Sequence, residues 1–240
     1  MAQHIGIVAC SAEGAALCYR TICIEGAALL GPHNHPEVSM HTYSLARYME
    51  AINAENWQGA AELMVASAEK LAKIGADFLI CPDNTIHRVL PDVVRRTLLP
   101  WLHIADCVIA EANERGFMRL GLTGTKFLME SDVYPEHFVR PSADERERMN
   151  AIIFEELVYG RFRLEALRYF QQVIQRMHEA GCDAVVLGCT EIPLLVQPED
   201  SPLPVLDSTR LLARAALKRA AGDQSPQDPS SRRTRTSSPK

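Results

Sequence analysis

The sequence predicts an α/β fold of two similar domains, each a three-layer arrangement of a mainly parallel sheet between helices. Strand signals and helix signals alternate along the chain, which is typical of parallel sheets covered on both faces. One construction also occurs twice, as GADFLICPDNT at 75–85 and GCDAVVLGCTE at 181–191. A second matching pair follows, LPWLH at 99–103 and LPVLD at 203–207. The repeat indicates two halves related by a pseudo-twofold axis.

The first half of the chain begins with a short buried strand, HIGIVAC, an apolar run that is followed by small residues. Apolar residues at helical spacing then predict a helix over GAAELMVASAEKLAKIG, with Gly75 as its C-terminal cap. DFLIC is the next strand. The segment IHRVLPDVVRRTL is predicted to be helical, with Pro91 marking a break or a new first turn, and WLHI is a further short strand.

The second half repeats the alternation of helices and strands. CVIAEANERG has helical spacing and ends on Gly116, and MRLGLTGT is a strand that runs into a Gly/Thr loop. Two long amphipathic helices follow, ERERMNAIIFEELVYG and LEALRYFQQVIQRMHEAG. AVVLGC and LPVLD are predicted strands, and STRLLARAALKRAAG is the last helix.

These elements predict the domain organisation. Residues 1–98 and 208–221 form the first domain, because the last helix is expected to cross back to the first half, and residues 99–207 form the second. Residues 222–240 are rich in Ser, Pro and charge and have no apolar periodicity, so they are predicted to be a disordered tail.

Composition and charge exclude several classes of function. The formal net charge is −5, and the tail contributes four basic and two acidic residues, so the body carries −7, which disfavours nucleic acid as a partner. No run of about 18 apolar residues suggests a membrane span, and the N-terminus shows no secretion signal. Seven cysteines in no disulfide or zinc pattern predict free thiols, a cytoplasmic protein and no bound metal.

The tips of the repeated strands are the candidate site. Ligands in open parallel sheets bind beyond the carboxyl ends of the strands, so two facing halves would place Asp83 and Cys189 on opposite walls of one cleft. Such a pair could take a proton from a carbon α to a carboxylate and return it on the other face. Both residues precede a predicted helix start, where backbone N–H groups hold carboxylates and lower the pKa of a thiol. Asn84, Thr85 and Thr190 add side-chain donors.

Four motifs resemble those of the aspartate/glutamate racemase superfamily. GCTEIPLL at 188–195 resembles its second active-site motif, and PDNTIH at 82–87 is similar to its first, usually PCNTxH. LHIAD at 102–106 and LGLTGT at 120–125 fit as well, so the resemblance spans about residues 4–220. It implies two α/β domains, a homodimer, and racemisation by two cysteines without pyridoxal phosphate or another cofactor. Related members are decarboxylases, hydantoin racemases and maleate isomerases.

The sequence departs from this family pattern at the first cysteine, whose place is held by Asp83. Cys81 lies roughly 6–7 Å further down the strand and does not simply substitute for it. The register of the resemblance places His41 where aspartate racemases have an Arg for the distal carboxylate, and Tyr159 where they often have Lys. Neither is a permanent cation, so either Arg161 compensates or the substrate lacks a second carboxylate.

The site residues also have structural interpretations. Cys189 could be a small buried hydrophobe, and Asp83 could be a helix N-cap. Glu191 could orient Cys189, bind a substrate ammonium or favour a helix N-terminus. Turn formation is the alternative role of Asn84 and Thr85.

Two further residues flank the strand tips. Cys10 lies in the first strand-end loop and could border the cleft. His87 is expected to be a solvated residue in the first turn of a helix.

The leading hypothesis is a cofactor-independent racemase or epimerase that acts at the carbon α to a carboxylate, on an amino acid of the aspartate/glutamate type. Cys189 and Asp83 would be the opposed acid/base pair. The α-carboxylate and the developing enediolate would be held by Asn84, Thr85, Thr125 and Thr190. The alternatives are a decarboxylase or cis–trans isomerase of a small dicarboxylate that uses Cys189 alone, and an inactive homologue that binds an amino acid.

Overall fold

A computed structural model describes residues 2–222. The strands are β1 (Ile5–Ala9), β2 (Val38–Thr42), β3 (Phe78–Ile80), β4 (Leu120–Thr123), β5 (Ala184–Leu187) and β6 (Val205–Asp207). The α-helices are α1 (Ala12–Leu30), α2 (Leu45–Asn53), α3 (Trp57–Lys73), α4 (Leu90–Arg96), α5 (Ile104–Glu114), α6 (Lys126–Met129), α7 (Ala143–Glu155), α8 (Leu164–Glu179), α9 (Ile192–Leu195) and α10 (Ser208–Ala221). Within these residues, no helix has the length and apolar character needed to cross a membrane. Apart from Gly222, the predicted tail lies outside the described residues.

The strands form two separate parallel sheets, which confirms the predicted fold class. The first sheet has the order β2-β1-β3 and the second has the order β4-β5-β6. In the first sheet, β1 pairs in register with β2 on one side and with β3 on the other. Every residue of β1, β3, β4 and β5 is buried. Because helices cover both faces of these sheets, the strands are continuous apolar runs rather than alternating ones.

Isolated bridges at the sheet edges make the two layouts equivalent. Trp101 pairs with Leu79 beside β3, and Val139 pairs with Gly121 beside β4. Each sheet is thereby extended to four positions, with the first strand of each half second in the order. The edge formed by β2 in the first sheet corresponds to the single bridge at Val139 in the second. The edge formed by β6 in the second sheet corresponds to the single bridge at Trp101 in the first.

The segments LPWLH and LPVLD make the same backbone contact in their respective sheets. The N–H of Leu79 donates to the carbonyl of Pro100, and the N–H of Val185 donates to the carbonyl of Pro204, each at 2.9 Å. The predicted strand WLHI is only a single bridge at Trp101, which belongs to the first sheet, and Ile104 already begins α5. The hydrogen bonds of the first sheet continue to Leu102, past the predicted domain boundary at residue 98.

The helices that follow these two segments cross between the halves. Helix α10 follows β6 of the second sheet, yet it packs Leu212, Ala213 and Ala216 into the core around Ile5 and Ile7 of the first sheet. Helix α5 follows the edge of the first sheet and packs into the core of the second with Ala105, Val108 and Ala112. This exchange buries apolar surface of each helix against the opposite half, which fixes the two sheets relative to each other.

Several local elements differ from the sequence prediction. The region 11–54, for which the sequence analysis named no element, forms α1, β2 and α2. The predicted helix over 86–98 begins as a 3-10 turn, Thr85–Val89, and continues as α4. The helix after Cys189, Ile192–Leu195, has only four residues. Because the helix dipole is a sum over aligned peptide units, neither strand tip receives the strong dipole that the sequence suggested.

The exchange of α10 gives a stability prediction. Ala216 is fully buried against the first half, so Ala216→Leu should overpack this contact and lower the free energy of unfolding by about 1–3 kcal/mol. Ala215 on the same helix is only partly buried, and Ala215→Leu is the matched control, with an expected change within about 0.5 kcal/mol. Urea unfolding measures both variants. Equal effects at the two positions would contradict the assigned packing face.

Candidate active site

Asp83 and Cys189 line one cavity. Asp83 lies in the loop that follows β3, and Cys189 lies in the loop that follows β5. The cavity holds about 530 Å³ of atom-free space, part of it open to solvent. The charge of Asp83 contributes to a raised pKa of Cys189, as expected for two groups that share one enclosed space. The structure thus brings together the two strand tips that the repeat singled out.

Glu191 holds the Cys189 side chain. Its Oε2 atom accepts a hydrogen bond from the Cys189 thiol at 3.0 Å and another from the Thr190 hydroxyl at 2.6 Å. Glu191 is 2% exposed, and its Oε1 atom is buried without a hydrogen-bond partner among the described residues. A buried oxygen of this kind costs free energy until a donor reaches it. Since Glu191 lines the cavity, a ligand with a positively charged N–H group can supply that donor.

The pKa of Cys189 lies well above that of an ordinary thiol. Burial is the largest cause, and the negative charges of Glu191 and Asp83 add to it. The sequence predicts the opposite direction, because Cys189 precedes a predicted helix start. The surroundings are carboxylates instead, so the expectation of a lowered pKa is wrong and Cys189 holds its proton at neutral pH.

Asp83 is a partly buried carboxyl group with a raised pKa. Its Oδ1 atom accepts from the backbone N–H of Ile86 at 3.2 Å, so Asp83 caps the turn that follows it. Burial raises its pKa to about 6, with a smaller contribution from Glu191, while backbone N–H groups of Ile86 and Thr85 act in the opposite direction. Capping and a raised pKa coexist here, so the structural and the chemical interpretation of Asp83 are compatible.

His87 supports the Asp83 loop from behind. It is 1% exposed, so the expectation of a solvated residue is wrong. Its Nε2 atom accepts from the backbone N–H of Ile104 at 3.2 Å, which leaves Nδ1 to donate to the carbonyl of Asp83 at 2.8 Å. Burial, with a further effect of His103, lowers its pKa to about 3, so the ring is neutral in the folded protein.

Two pairs of hydroxyl groups link the halves around the cavity. Ser11, after β1, lies 3.0 Å from Thr190, and Thr125, after β4, lies 2.8 Å from Thr85. Ser11 and Thr125 are also the N-caps of α1 and α6. A Cβ atom at Gly14 would lie 2.3 Å from the Thr190 side chain, so only glycine permits this close approach of α1. Ser11 was not singled out from the sequence, although a serine that begins a helix after a strand is a detectable signal.

Asn84 lines the cavity, but its side chain has partners within the protein. Its Nδ2 atom donates to the Ser208 hydroxyl at 2.9 Å, and its Oδ1 atom accepts from the Tyr134 hydroxyl at 2.8 Å. Ser208 in turn donates to the carbonyl of Leu187, at the end of β5, at 2.8 Å. Asn84 therefore connects the first strand tip to the second half, and one N–H of its amide is left for a ligand.

His41 and Tyr159, which are predicted to bind the distal carboxylate, lie outside the cavity lining. His41 on β2 contacts the Ser67 hydroxyl at 2.9 Å and accepts from Lys70 at 2.9 Å. The Tyr159 side chain is 70% exposed, and the Arg161 guanidinium packs over its ring at 5.6 Å. The expected compensation by Arg161 is therefore not seen. These positions lie in segments where the resemblance has no firm motif to fix its register.

The rest of the lining is apolar or neutral. Cys10 borders the cavity, whereas Cys81 is fully buried behind it and does not line it. A group of residues that we call the apolar wall comes from α2 and from the segment that contains α6 and α7. Its members are Leu45, Tyr48, Met49, Ile52, Phe127, Ile153, Phe154 and Val158. Their one polar side-chain atom is the Tyr48 hydroxyl, which is buried without a hydrogen-bond partner among the described residues. Among the described residues that line the cavity there is no Lys, Arg or His.

Comparison with known proteins identifies the family. A model of the family described as Asp/Glu/hydantoin racemase matches residues 7–216. The chain belongs to this family. A candidate Asp/Glu racemase from Yersinia pestis has a similar structure, with 30% sequence identity and a TM-score of 0.83, and the match covers 92% of this chain and 100% of that one. An aspartate racemase homologue from Pyrococcus horikoshii is 28% identical with a TM-score of 0.77 over the same shares.

A curated relative has a known type of activity. The broad-specificity amino-acid racemase RacX of Bacillus subtilis is 23% identical over 160 residues, which are 64% of this chain and 69% of the relative. These comparisons establish the racemase family and the two-domain fold.

The raised pKa of Asp83 gives a prediction about stability. The pKa of Asp83 is higher in the folded than in the unfolded state. Its contribution to the free energy of unfolding therefore falls as the pH rises from about 4 to about 6, and then stays low. Asp83→Asn keeps the capping oxygen and removes the charge, so it should raise the free energy of unfolding at pH 8 by about 1–3 kcal/mol, at 1.4 kcal/mol per pKa unit. At pH 4 the two proteins should be equally stable.

Chemical denaturation across this pH range measures the effect. Asp132→Asn, at an exposed position, is the control and should change little at either pH. A difference between Asp83→Asn and the parent protein that does not depend on pH would contradict a raised pKa of Asp83.

Proposed function

We propose that this protein is a cofactor-independent racemase or epimerase of an amino acid, with Asp83 and Cys189 as its acid/base pair on opposite faces of Cα. The observation that supports it is the shared cavity, which both side chains line at the ends of equivalent strands. Proton transfer to or from a planar carbanion requires one acid and one base, held on opposite sides of the carbon.

The protonation states of the two groups are complementary. With a pKa of about 6, Asp83 is mostly ionised at pH 7.5, whereas Cys189, whose pKa is raised, is a neutral thiol. Asp83 is therefore ready to accept the Cα proton of one enantiomer, and the thiol is ready to donate to the opposite face. After one turnover Asp83 holds the proton and Cys189 is a thiolate, which is the form that serves the reverse direction. The two directions thus start from different forms of the enzyme.

The cavity also provides for the groups attached to Cα. The free Oε1 atom of Glu191 can accept from the substrate ammonium, whose positive charge also offsets the negative charges near Cys189. Hydroxyl groups around the cavity can redirect their protons toward the α-carboxylate and toward the enediolate that develops from it. We assign this role to Thr85, Thr125 and Thr190, with the remaining amide N–H of Asn84.

The alternative reactions on a small dicarboxylate have less support. Malonate and maleate derivatives carry two negative charges and no ammonium. Asp83 and Glu191 would repel them, and the lining formed by the described residues has no cation to compensate. An inactive homologue that only binds an amino acid is separated from a racemase by measuring turnover.

The direct test is exchange of the Cα proton with solvent. Incubation of single amino acids in D2O with the enzyme should replace Cα–H by deuterium, as followed by NMR. Cys189→Ala and Asp83→Asn should each lower the exchange rate at least 100-fold, the usual range for a general acid or base. Cys23→Ala, at a cysteine that does not line the cavity, is the control. Ligand-induced thermal stabilisation without exchange of any amino acid would instead indicate an inactive binding protein.

The pH dependence of the rate provides a second prediction. In the direction that uses Asp83 as the base, kcat/KM should rise tenfold per pH unit below pH 6 and level off above it, because only the ionised carboxylate accepts the proton. Initial rates from each enantiomer between pH 4.5 and 8 measure this. A flat profile in both directions would argue against Asp83 as a base.

A further inference from the structure

We infer that the amino-acid substrate has an uncharged, apolar side chain, which lies against the apolar wall. This inference rests on the proposed function and specifies its substrate class. It departs from the expectation of an aspartate or glutamate substrate, which came from the resemblance alone.

Polar groups are unevenly distributed in the cavity. The side chains that can hold a substrate by hydrogen bonds or charge come mainly from the loops at the strand ends, where the reacting carbon would lie. The apolar wall comes instead from α2 of the first half and from the segment 127–158 of the second. When the carboxylate and ammonium of a ligand are held at the strand ends, with Cα between Asp83 and Cys189, the side chain of the ligand lies against this wall.

The described residues that line the cavity include no cation that could pair with a second carboxylate. A second carboxylate would be desolvated near Asp83 and Glu191 without a cation to pair with it, which is strongly unfavourable. An apolar side chain in the same place gains from burial. A cationic side chain has no acid on the apolar wall to meet, because the two acids in the lining lie at the strand ends.

The basic residues nearest in sequence to the lining already interact with other side chains. The Arg47 guanidinium lies 4.4 Å from the centroid of the Tyr43 ring, and that of Arg88 lies 4.3 Å from the centroid of the Trp57 ring. Lys126 Nζ donates to Glu147 at 3.1 Å. Recruiting any of these cations to a substrate carboxylate would require it to leave its partner.

The test compares amino acids in the same exchange assay with the wild-type enzyme. We expect kcat/KM for Leu, Met or Phe to exceed that for Asp or Glu at least 100-fold, with Lys also slower than the apolar group. The matching 5-substituted hydantoins lack both ammonium and carboxylate, and they should exchange no faster than in buffer. Faster exchange of Asp, Glu or Lys than of every apolar amino acid would overturn the inference and leave the proposed racemase intact. Faster exchange of a hydantoin than of every amino acid would overturn both the inference and the proposed amino-acid racemase.

A charge placed in the apolar wall provides an independent variant. Met49→Arg should lower kcat/KM for the apolar amino acids and raise that for Asp or Glu, which narrows their ratio at least tenfold. Glu50→Arg adds a cation at an exposed neighbour that does not line the cavity, and it should leave the ratio unchanged. An equal shift in both variants would overturn the inference.

Binding decides the inference if no amino acid exchanges at all. In that case the proposed racemase fails, and thermal stabilisation of the wild-type protein by each amino acid is compared instead. Stabilisation by Leu, Met or Phe but not by Asp or Glu would still support the apolar class. The reverse order, or no stabilisation by any of them, would reject it.

Discussion

The central constraint in this protein is that one cavity contains two carboxyl groups and a thiol, with no basic side chain in its described lining. Glu191 is almost fully buried and uses one oxygen for Cys189 and Thr190, while its other oxygen has no partner within residues 2–222. Burial, with a smaller contribution from neighbouring negative charge, raises the pKa of both Asp83 and Cys189. The cavity is thus complementary to a group that brings its own positive charge, and an amino acid is such a group.

The fold places these groups by using one arrangement twice. Each half supplies a strand whose tip ends in the cavity, and each supplies an N-cap hydroxyl that contacts the opposite tip, Ser11 to Thr190 and Thr125 to Thr85. Helices α5 and α10 each pack on the sheet of the other half. The distance between the two tips therefore depends on both cores, so the placement of Asp83 relative to Cys189 is set by the packing of both halves.

The structural features that could be predicted from sequence are those encoded by local patterns of residues. Continuous apolar runs indicated the buried strands, and the repeated GADFLICPDNT and GCDAVVLGCTE stretches indicated two equivalent tips, with Asp83 and Cys189 at matching places. The LPWLH and LPVLD segments were predictable as equivalent because their sequences match, and the proline carbonyl accepts a ladder hydrogen bond in each, although only LPVLD forms a strand.

The features that were predicted wrongly or missed depend on contacts between segments that are distant along the chain. The direction of the Cys189 pKa shift is set by burial and by two carboxylates, one of them 106 positions away along the chain. His87 is buried because its ring bonds the backbone at Ile104, which no local pattern shows. The apolar wall was missed because α2 contributes half of it, and α2 faces the cavity only after both halves are packed together.

The most direct measurement of the central claim is the origin of the proton in the product of the first turnovers. One pure enantiomer is converted in D2O to a small extent, and both enantiomers are recovered and analysed by mass spectrometry. If Asp83 and Cys189 act on opposite faces, the product carries solvent deuterium and the remaining substrate keeps its protium. Protium transferred from substrate to product would show a single group acting on both faces and would contradict the account.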